Sequence, residues 1–239
     1  MSHVTLFRFF TCILTSHASL NLKWHLDGEL KGRTQFGAVE GRSFGFDDMK
    51  YQWNRGHWKC LSENENGELT GYSFKECEER FENNMTQHYA TDFLTDRAIN
   101  FMTEKKRNNE TFALFLSLPD PHSPHTVRAP YDTMFNDMTF SVPQTARAAL
   151  TKNPAIPPWA YIDQKIYGNS VLSDSSQIIA EVESSRKFQR SQREIFGMVK
   201  LIDDSVGRIL ETLETHDLDE NTIVVFTSDH GDLMHERKI

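Results

Sequence analysis

The feature that most constrains the fold is a helix pattern that runs into a strand pattern near the end of the chain. In "REIFGMVKLIDDSVGRILETLETHDL", Ile195, Val199, Ile202, Val206, Ile209 and Leu213 fall on one stripe at helical period. Soon after, Ile223, Val224, Val225 and Phe226 make a short, continuous, largely β-branched run, which predicts a strand covered on both faces of a parallel sheet. The same order occurs earlier. "QHYATDFLTDRAINFMTEKKR" sets Tyr89, Phe93, Ala98, Ile99 and Met102 near one helix face, and Phe112 to Leu118 then read as a buried strand ended by Pro119 and Pro121. A third, alternating strand lies in "SLNLKWHLDG" and leads to Lys23, Trp24 and His25. Helix then strand, repeated, predicts an α/β fold, a mostly parallel sheet with helices on both faces. Residues 29–84 and 130–185 lack long period and read as loops or insertions on the side where a site would lie.

A length of 239 residues suits one α/β domain or part of a larger one. The net charge of -8 argues against a nucleic-acid surface and requires a local positive cluster for any anionic substrate. No apolar run approaches the ~20 residues of a transmembrane helix. Cys12, Cys60 and Cys77 form no metal motif; one disulfide is possible, and the odd count leaves the redox compartment open. Residues 1–19 stand apart from the domain at 20–239: Ser16-His17-Ala18 resembles a signal-peptidase site, but Arg8 interrupts the apolar stretch before it.

Ligands of open α/β sheets bind beyond the carboxyl ends of the strands, and polar residues cluster at these three ends. Lys23 and His25, two apart, project from one face of a strand and could hold an anionic oxygen or protonate a leaving group; an exposed edge strand is the plainer alternative. His122 follows a proline-rich turn that fixes its approach, or it caps local carbonyls; His125 is less constrained. Asp229 and His230, with Gly231 allowing a sharp turn, suit a divalent cation only if more carboxylates lie nearby, and otherwise read as an N-cap and turn. Asp203 and Asp204 sit within a helix and are read as structural, one of them pairing with Arg208; Asp120 is assigned to a turn.

Four blocks together resemble the sulfatase family of the alkaline-phosphatase-like superfamily. "LKWHLDG" is similar to the family's G-K-W-H-L-G strand, with Leu22 in place of glycine, and "FALFLSLPDPHSPHTVRAPYD" to its P-H-x-P block. "MVKLIDDSVGRILETLE" and "NTIVVFTSDHGD" resemble its helix and metal-binding strand. The resemblance implies hydrolysis of a small-molecule or carbohydrate sulfate ester by a formylglycine hydrate. It implies that Lys23, His25 and His122 contact the sulfate ester, and that Asp229 and His230 are two ligands of a divalent cation, usually Ca²⁺. Secretion, or a periplasmic or lysosomal location, is what the resemblance implies for such an enzyme.

The chain also departs from the family pattern. No cysteine begins a C-x-P-x-R motif, and "SVPQT" at Ser141 carries Thr145 where arginine is needed. The expectation is therefore an internal piece of a sulfatase catalytic domain, inactive by itself. The competing readings are a phosphodiesterase or phosphonate hydrolase of the same superfamily, and a non-catalytic protein that holds an anion.

Overall fold

The computed structural model describes residues 18–22, 36, 45–53, 56–144 and 175–231. In chain order these form β1 (Ala18–Leu22), β2 (Cys60–Glu63), β3 (Leu69–Tyr72), α1 (Phe74–Phe81), α2 (Met85–His88) and α3 (Ala90–Arg107). After them come β4 (Ala113–Ser117), α4 (Ser175–Ser184), α5 (Arg186–Thr215) and a 3-10 turn at Asp219–Asn221.

β1 and β4 pair in parallel, from Ala18 opposite Ala113 to Leu22 opposite Ser117. The carboxyl ends of both strands therefore leave the sheet at one edge, the edge at which His122 follows. Alternation along β4 buries Leu114 and Leu116, while Phe115 is half-buried and meets Phe46 edge-on at 6.4 Å between ring centroids. Leu114 and Leu116 join Phe93, Ala98 and Met102 of α3 and Ile202, Ile209 and Leu213 of α5 in one core cluster. Both helices thus use the apolar stripe read from their sequences. Each fully buried leucine or phenylalanine there contributes about 1.5–3 kcal/mol.

α3 has Asp92 in its first turn and Lys105, Lys106 and Arg107 in its last, which complements the helix dipole at both ends. α5 starts at Ser185, whose Oγ accepts from the Phe188 amide at 3.4 Å. In mid-helix, Gly197 lets the backbone of the 127–131 loop pass close by. A Cβ at this position would lie 2.4 Å from the Tyr131 carbonyl oxygen and 2.9 Å from Val127 Cγ1. Glycine to alanine ordinarily stabilises a helix by about 1 kcal/mol. At Gly197 the sign should reverse, with a loss of about 1–3 kcal/mol from overpacking, whereas Gly207→Ala, which meets nothing within 4 Å, should be neutral or stabilising. Urea denaturation of the two variants checks this.

The structure corrects three expectations. Residues 29–84 are not all loop: β2 and β3 form an antiparallel pair, with Gly67 at φ 77° in the connection, and α1 follows behind a Ser73–Glu76 capping box. These elements are too short for their period to stand out, so only the turn and cap chemistry marked them. Ile223 to Phe226 are not a buried strand among the described residues. They carry no strand assignment and lie exposed, Ile223 at 74%. β-propensity describes fit to a half-buried surface, and it supplies no cover by itself. Finally, Arg208 pairs with Asp96 of α3, while Asp203 and Asp204 pair with Lys200, at 3.0 Å for Asp203 Oδ2 and 2.5 Å for Asp204 Oδ1. The structural reading of the two aspartates stands with a different partner.

A disulfide joins Cys60 of β2 to Cys77 of α1, both fully buried, across a separation of 17 residues. A loop of that size implies about 3 kcal/mol of stabilisation in the chain-entropy model. Reduction, or paired replacement of both cysteines by alanine, should lower the thermal midpoint by about 6–12 °C. Cys12 lies outside the described residues.

Candidate functional site at the end of β4

The loop after β4 is held by the amino terminus of α3. Tyr89 precedes that helix, and the Ala90 amide donates to the Lys59 carbonyl at 2.9 Å, so the residue before β2 satisfies the first turn of α3. The Lys59 side chain then crosses to the β4 loop. Its Nζ donates to Asp120 Oδ1 at 2.7 Å and lies 3.4 Å from the His122 carbonyl oxygen. Thr91, in the first turn of α3, donates its hydroxyl to Asp120 Oδ2 at 2.7 Å. Both oxygens of this buried carboxylate are thus satisfied, and the helix dipole adds to its stabilisation. Asp120 does sit in a turn, as expected, and its carboxylate also points into the protein, where Lys59 reaches it to form a buried ion pair.

A second knot lies beside the first. Arg128 grips Asp92 with Nε and Nη2, both at 2.6 Å, and donates Nη1 to the Ala129 carbonyl at 2.7 Å. Tyr131 donates to Asp204 Oδ2 at 2.8 Å, tying the same loop to α5. Tyr89 donates to the Thr126 carbonyl at 3.0 Å, and burial, with Asp120 nearby, pushes its hydroxyl well above the usual tyrosine range. His125, read as loosely held, has Nδ1 2.8 Å from Ser191 Oγ on α5. The loop from Pro119 to Tyr131 is therefore fastened to α3, α5 and the start of β2.

His122 rides on this fastened loop. Its amide donates to the Pro119 carbonyl at 3.1 Å, and its ring Nδ1 is 2.8 Å from the Ser123 carbonyl oxygen. A carbonyl only accepts, so Nδ1 carries the hydrogen in this contact. The imidazole of His57 stacks on it, with centroids 4.3 Å apart and an interplanar angle of 21°. Together with Trp58, Lys59 and Pro119, the two histidines line a small pocket open to solvent.

Of the other residues singled out from the sequence, Lys23 and His25 lie outside the described residues. Asp229 and His230 sit exposed in the segment after α5. Asp229 Oδ1 accepts from the His230 amide at 2.9 Å, and His230 Nδ1 lies 2.9 Å from the Gly231 carbonyl oxygen. The structure leaves this pair at the surface. Among the described residues no group of three or more His, Cys, Asp or Glu side chains could hold a metal ion. A carboxylate and an imidazole fit as members of a donor set, yet Ca²⁺ takes about six to eight ligands, so the described residues do not complete one. His57 and Lys59 were missed in the sequence because they fall within a stretch read as loop. The available signal was Lys59 set between Trp58 and the Cys60–Leu61 run, a lysine in a buried context that demands a carboxylate.

A parallel strand pair covered by helices, with a fastened histidine loop at its carboxyl edge, is an α/β arrangement whose loop lies where such folds usually bind ligands. The sulfatase family model matches residues 22–239, and the chain belongs to that family. It is 24% identical over 225 residues to the uncharacterized sulfatase YidJ of Escherichia coli (strain K12), covering 91% of this chain and 39% of that protein. It is 25% identical over 258 residues to the N-acetylglucosamine-6-O-sulfatase of Bacteroides thetaiotaomicron, covering 90% of this chain and 42% of that protein. The chain thus spans about two fifths of the length of these curated relatives. Among solved structures, the yidJ protein of Bacteroides fragilis superposes with a TM-score of 0.57 at 20% identity, over 93% of this chain and 42% of that one, a likeness of fold. No helix among the described residues is long and apolar enough to cross a membrane.

Proposed function

We propose that the chain carries part of a sulfuric ester hydrolase site acting on a small-molecule or carbohydrate sulfate ester. The observation that carries this reading is the position of His122. Within a sulfatase-family chain, it follows the carboxyl end of a parallel strand, on a loop fastened by buried ion pairs. With Nδ1 tied to a carbonyl, Nε2 of His122 can hydrogen-bond the ester oxygen and supply the proton that the departing alcohol needs. Lys23 and His25 would neutralise charge on the sulfate oxygens. Asp229 and His230 would supply two ligands of a divalent cation, with Ca²⁺ the first choice. Such a cation, when bound, polarises the sulfate oxygens.

The family's nucleophile, a formylglycine made from cysteine or serine, has no C-x-P-x-R or S-x-P-x-R sequence among the 239 residues. The chain by itself is expected to show no turnover of an aryl sulfate. Turnover by the purified chain that disappears in His122→Ala would contradict this. In a protein that holds these residues together with the nucleophile, Asp229→Ala should lower kcat about 10²-fold or more, as for loss of a key electrostatic contact. Asp204→Ala, whose carboxylate serves Lys200 and Tyr131, should leave kcat nearly unchanged. Equal losses, with both variants folded, would sink the assignment of Asp229.

A further inference from the structure

We propose that Asn84 and Asn109 are acceptor sites for N-linked glycans, and that the chain folds in an oxidising compartment where such glycans are attached. The assignment does not depend on the sulfatase reading. Two Asn-x-Thr triplets occur in the sequence, Asn84-Met85-Thr86 and Asn109-Glu110-Thr111, neither with proline in the middle. Such triplets also arise by coincidence, so placement in the fold decides. A glycan is bulky and polar and must end on the surface. In both triplets the asparagine and the threonine are exposed, and both asparagines lie in turns, one between α1 and α2 and one after α3. Backbone geometry is the plainer reason for an asparagine in a turn. Asn84 stands at the N-cap of α2, yet its side chain makes no capping hydrogen bond, so capping does not account for it. Asn109 has φ 53°, a left-handed conformation that asparagine tolerates. That accounts for an asparagine at 109 but makes no demand on position 111.

The Cys60–Cys77 disulfide is the second, independent observation. It ties β2 to α1 with both cysteines fully buried, so it belongs to the fold and is not a bond exposed to exchange at the surface. Such disulfides form and persist in oxidising environments, the lumen of the secretory route among them. The glycan donor there is a lipid-linked oligosaccharide pyrophosphate. The asparagine Nδ2 bonds to the anomeric carbon of the donor sugar as the bond from that carbon to the pyrophosphate oxygen breaks. The proton lost from Nδ2 leaves with the lipid pyrophosphate. Asn109 is well removed from the His122 loop. α3 meets that loop at its amino end, through Thr91 and Asp120, and runs 18 residues, about 27 Å, before Asn109 follows its other end. A glycan at Asn109 therefore leaves the carboxyl edge of the sheet open.

The test directs the full chain into the secretory route of cultured animal cells behind a cleavable signal peptide. The disulfide-bonded protein is collected from the medium, or from the lumen if it is retained. Treatment with peptide N-glycosidase, which turns a glycosylated asparagine into aspartate, is followed by peptide mass spectrometry. Conversion of both Asn84 and Asn109 is expected, with Cys60 and Cys77 linked in the same molecules. Asn84→Gln and Asn109→Gln should each remove one glycan from the intact mass. Thr86→Ala and Thr111→Ala, which keep the asparagines, should do the same, while Thr86→Ser and Thr111→Ser should retain the glycan. Unconverted asparagine at both positions in disulfide-bonded chain would overturn the proposal, and conversion at one alone would overturn the other. Glycans found only when Cys60 and Cys77 are both replaced by alanine would also overturn it, since the folded chain would then hide its acceptors. Free thiols at Cys60 and Cys77 in the glycosylated protein would refute the oxidative half.

Discussion

Asp120→Ala is expected to destabilise the chain by about 3–5 kcal/mol, lowering its thermal midpoint by about 10 °C or more. The side chains of Lys59 and Asp120 are 4% and 2% exposed, so removal of the carboxylate leaves an ammonium with almost no access to water. Two remaining acceptors, the His122 carbonyl at 3.4 Å and Met198 Sδ at 3.3 Å, are long or weak, and the Glu194 carboxylate attracts the ammonium through space. Lys59→Met should cost a similar amount by stranding Asp120, which would keep the Thr91 hydroxyl and the nearby Tyr89 hydroxyl but no cation. The double variant Lys59→Met, Asp120→Leu removes both charges and should cost much less than the sum of the two single changes. Additive losses in chemical denaturation would mean that the pair is screened by water and is not the clasp described above. Because the pair also carries the His122 loop, Asp120→Ala should broaden or shift the His122 ring resonances even where the chain stays folded.

Arg128→Ala is expected to cost about 3–5 kcal/mol for the same physical reason at a separate place. Arg128 and Asp92 form a two-pronged pair with side chains 8% and 4% exposed, and the guanidinium also stacks 5.0 Å from the Tyr131 ring centroid. Arg128→Lys should recover little. A lysine keeps the charge but cannot form both bonds, donate to the Ala129 carbonyl and cover the ring together. Recovery of more than half the lost stability by lysine would show that charge alone is at work here. The two clasps share α3 and one loop, so their losses should not add fully when combined.

The sequence made the long helices and the end of β4 legible, and the reasons are physical. α3 and α5 are long enough for their apolar stripes to repeat several times, and β4 is bounded by prolines that cannot continue a strand. The hairpin of β2 and β3 was not legible, since four-residue strands give hardly two repeats of an alternating pattern. Ile223 to Phe226 show the opposite failure. Their composition is that of a buried strand, but burial is a property of what lies beside them, and composition does not contain it. His122 was found because a proline-rich turn after a strand is a local signal. Lys59, His57 and Arg128 were not, because their importance comes from partners 61, 65 and 36 positions away along the chain.

The central claim, that His122 belongs to a sulfate-ester site, is tested most directly by histidine ring NMR of the full chain titrated with phenyl sulfate in the presence of Ca²⁺. His122 and His25 should shift with one shared, saturable dependence on ligand. His216, which caps α5 and lies 3.4 Å from Thr103 Oγ1, serves as the internal control and should stay in place. Saturable shifts at His122 with His216 unmoved are the predicted result. A His122 resonance that stays in place throughout the titration, or one that moves only in parallel with His216, would contradict the account.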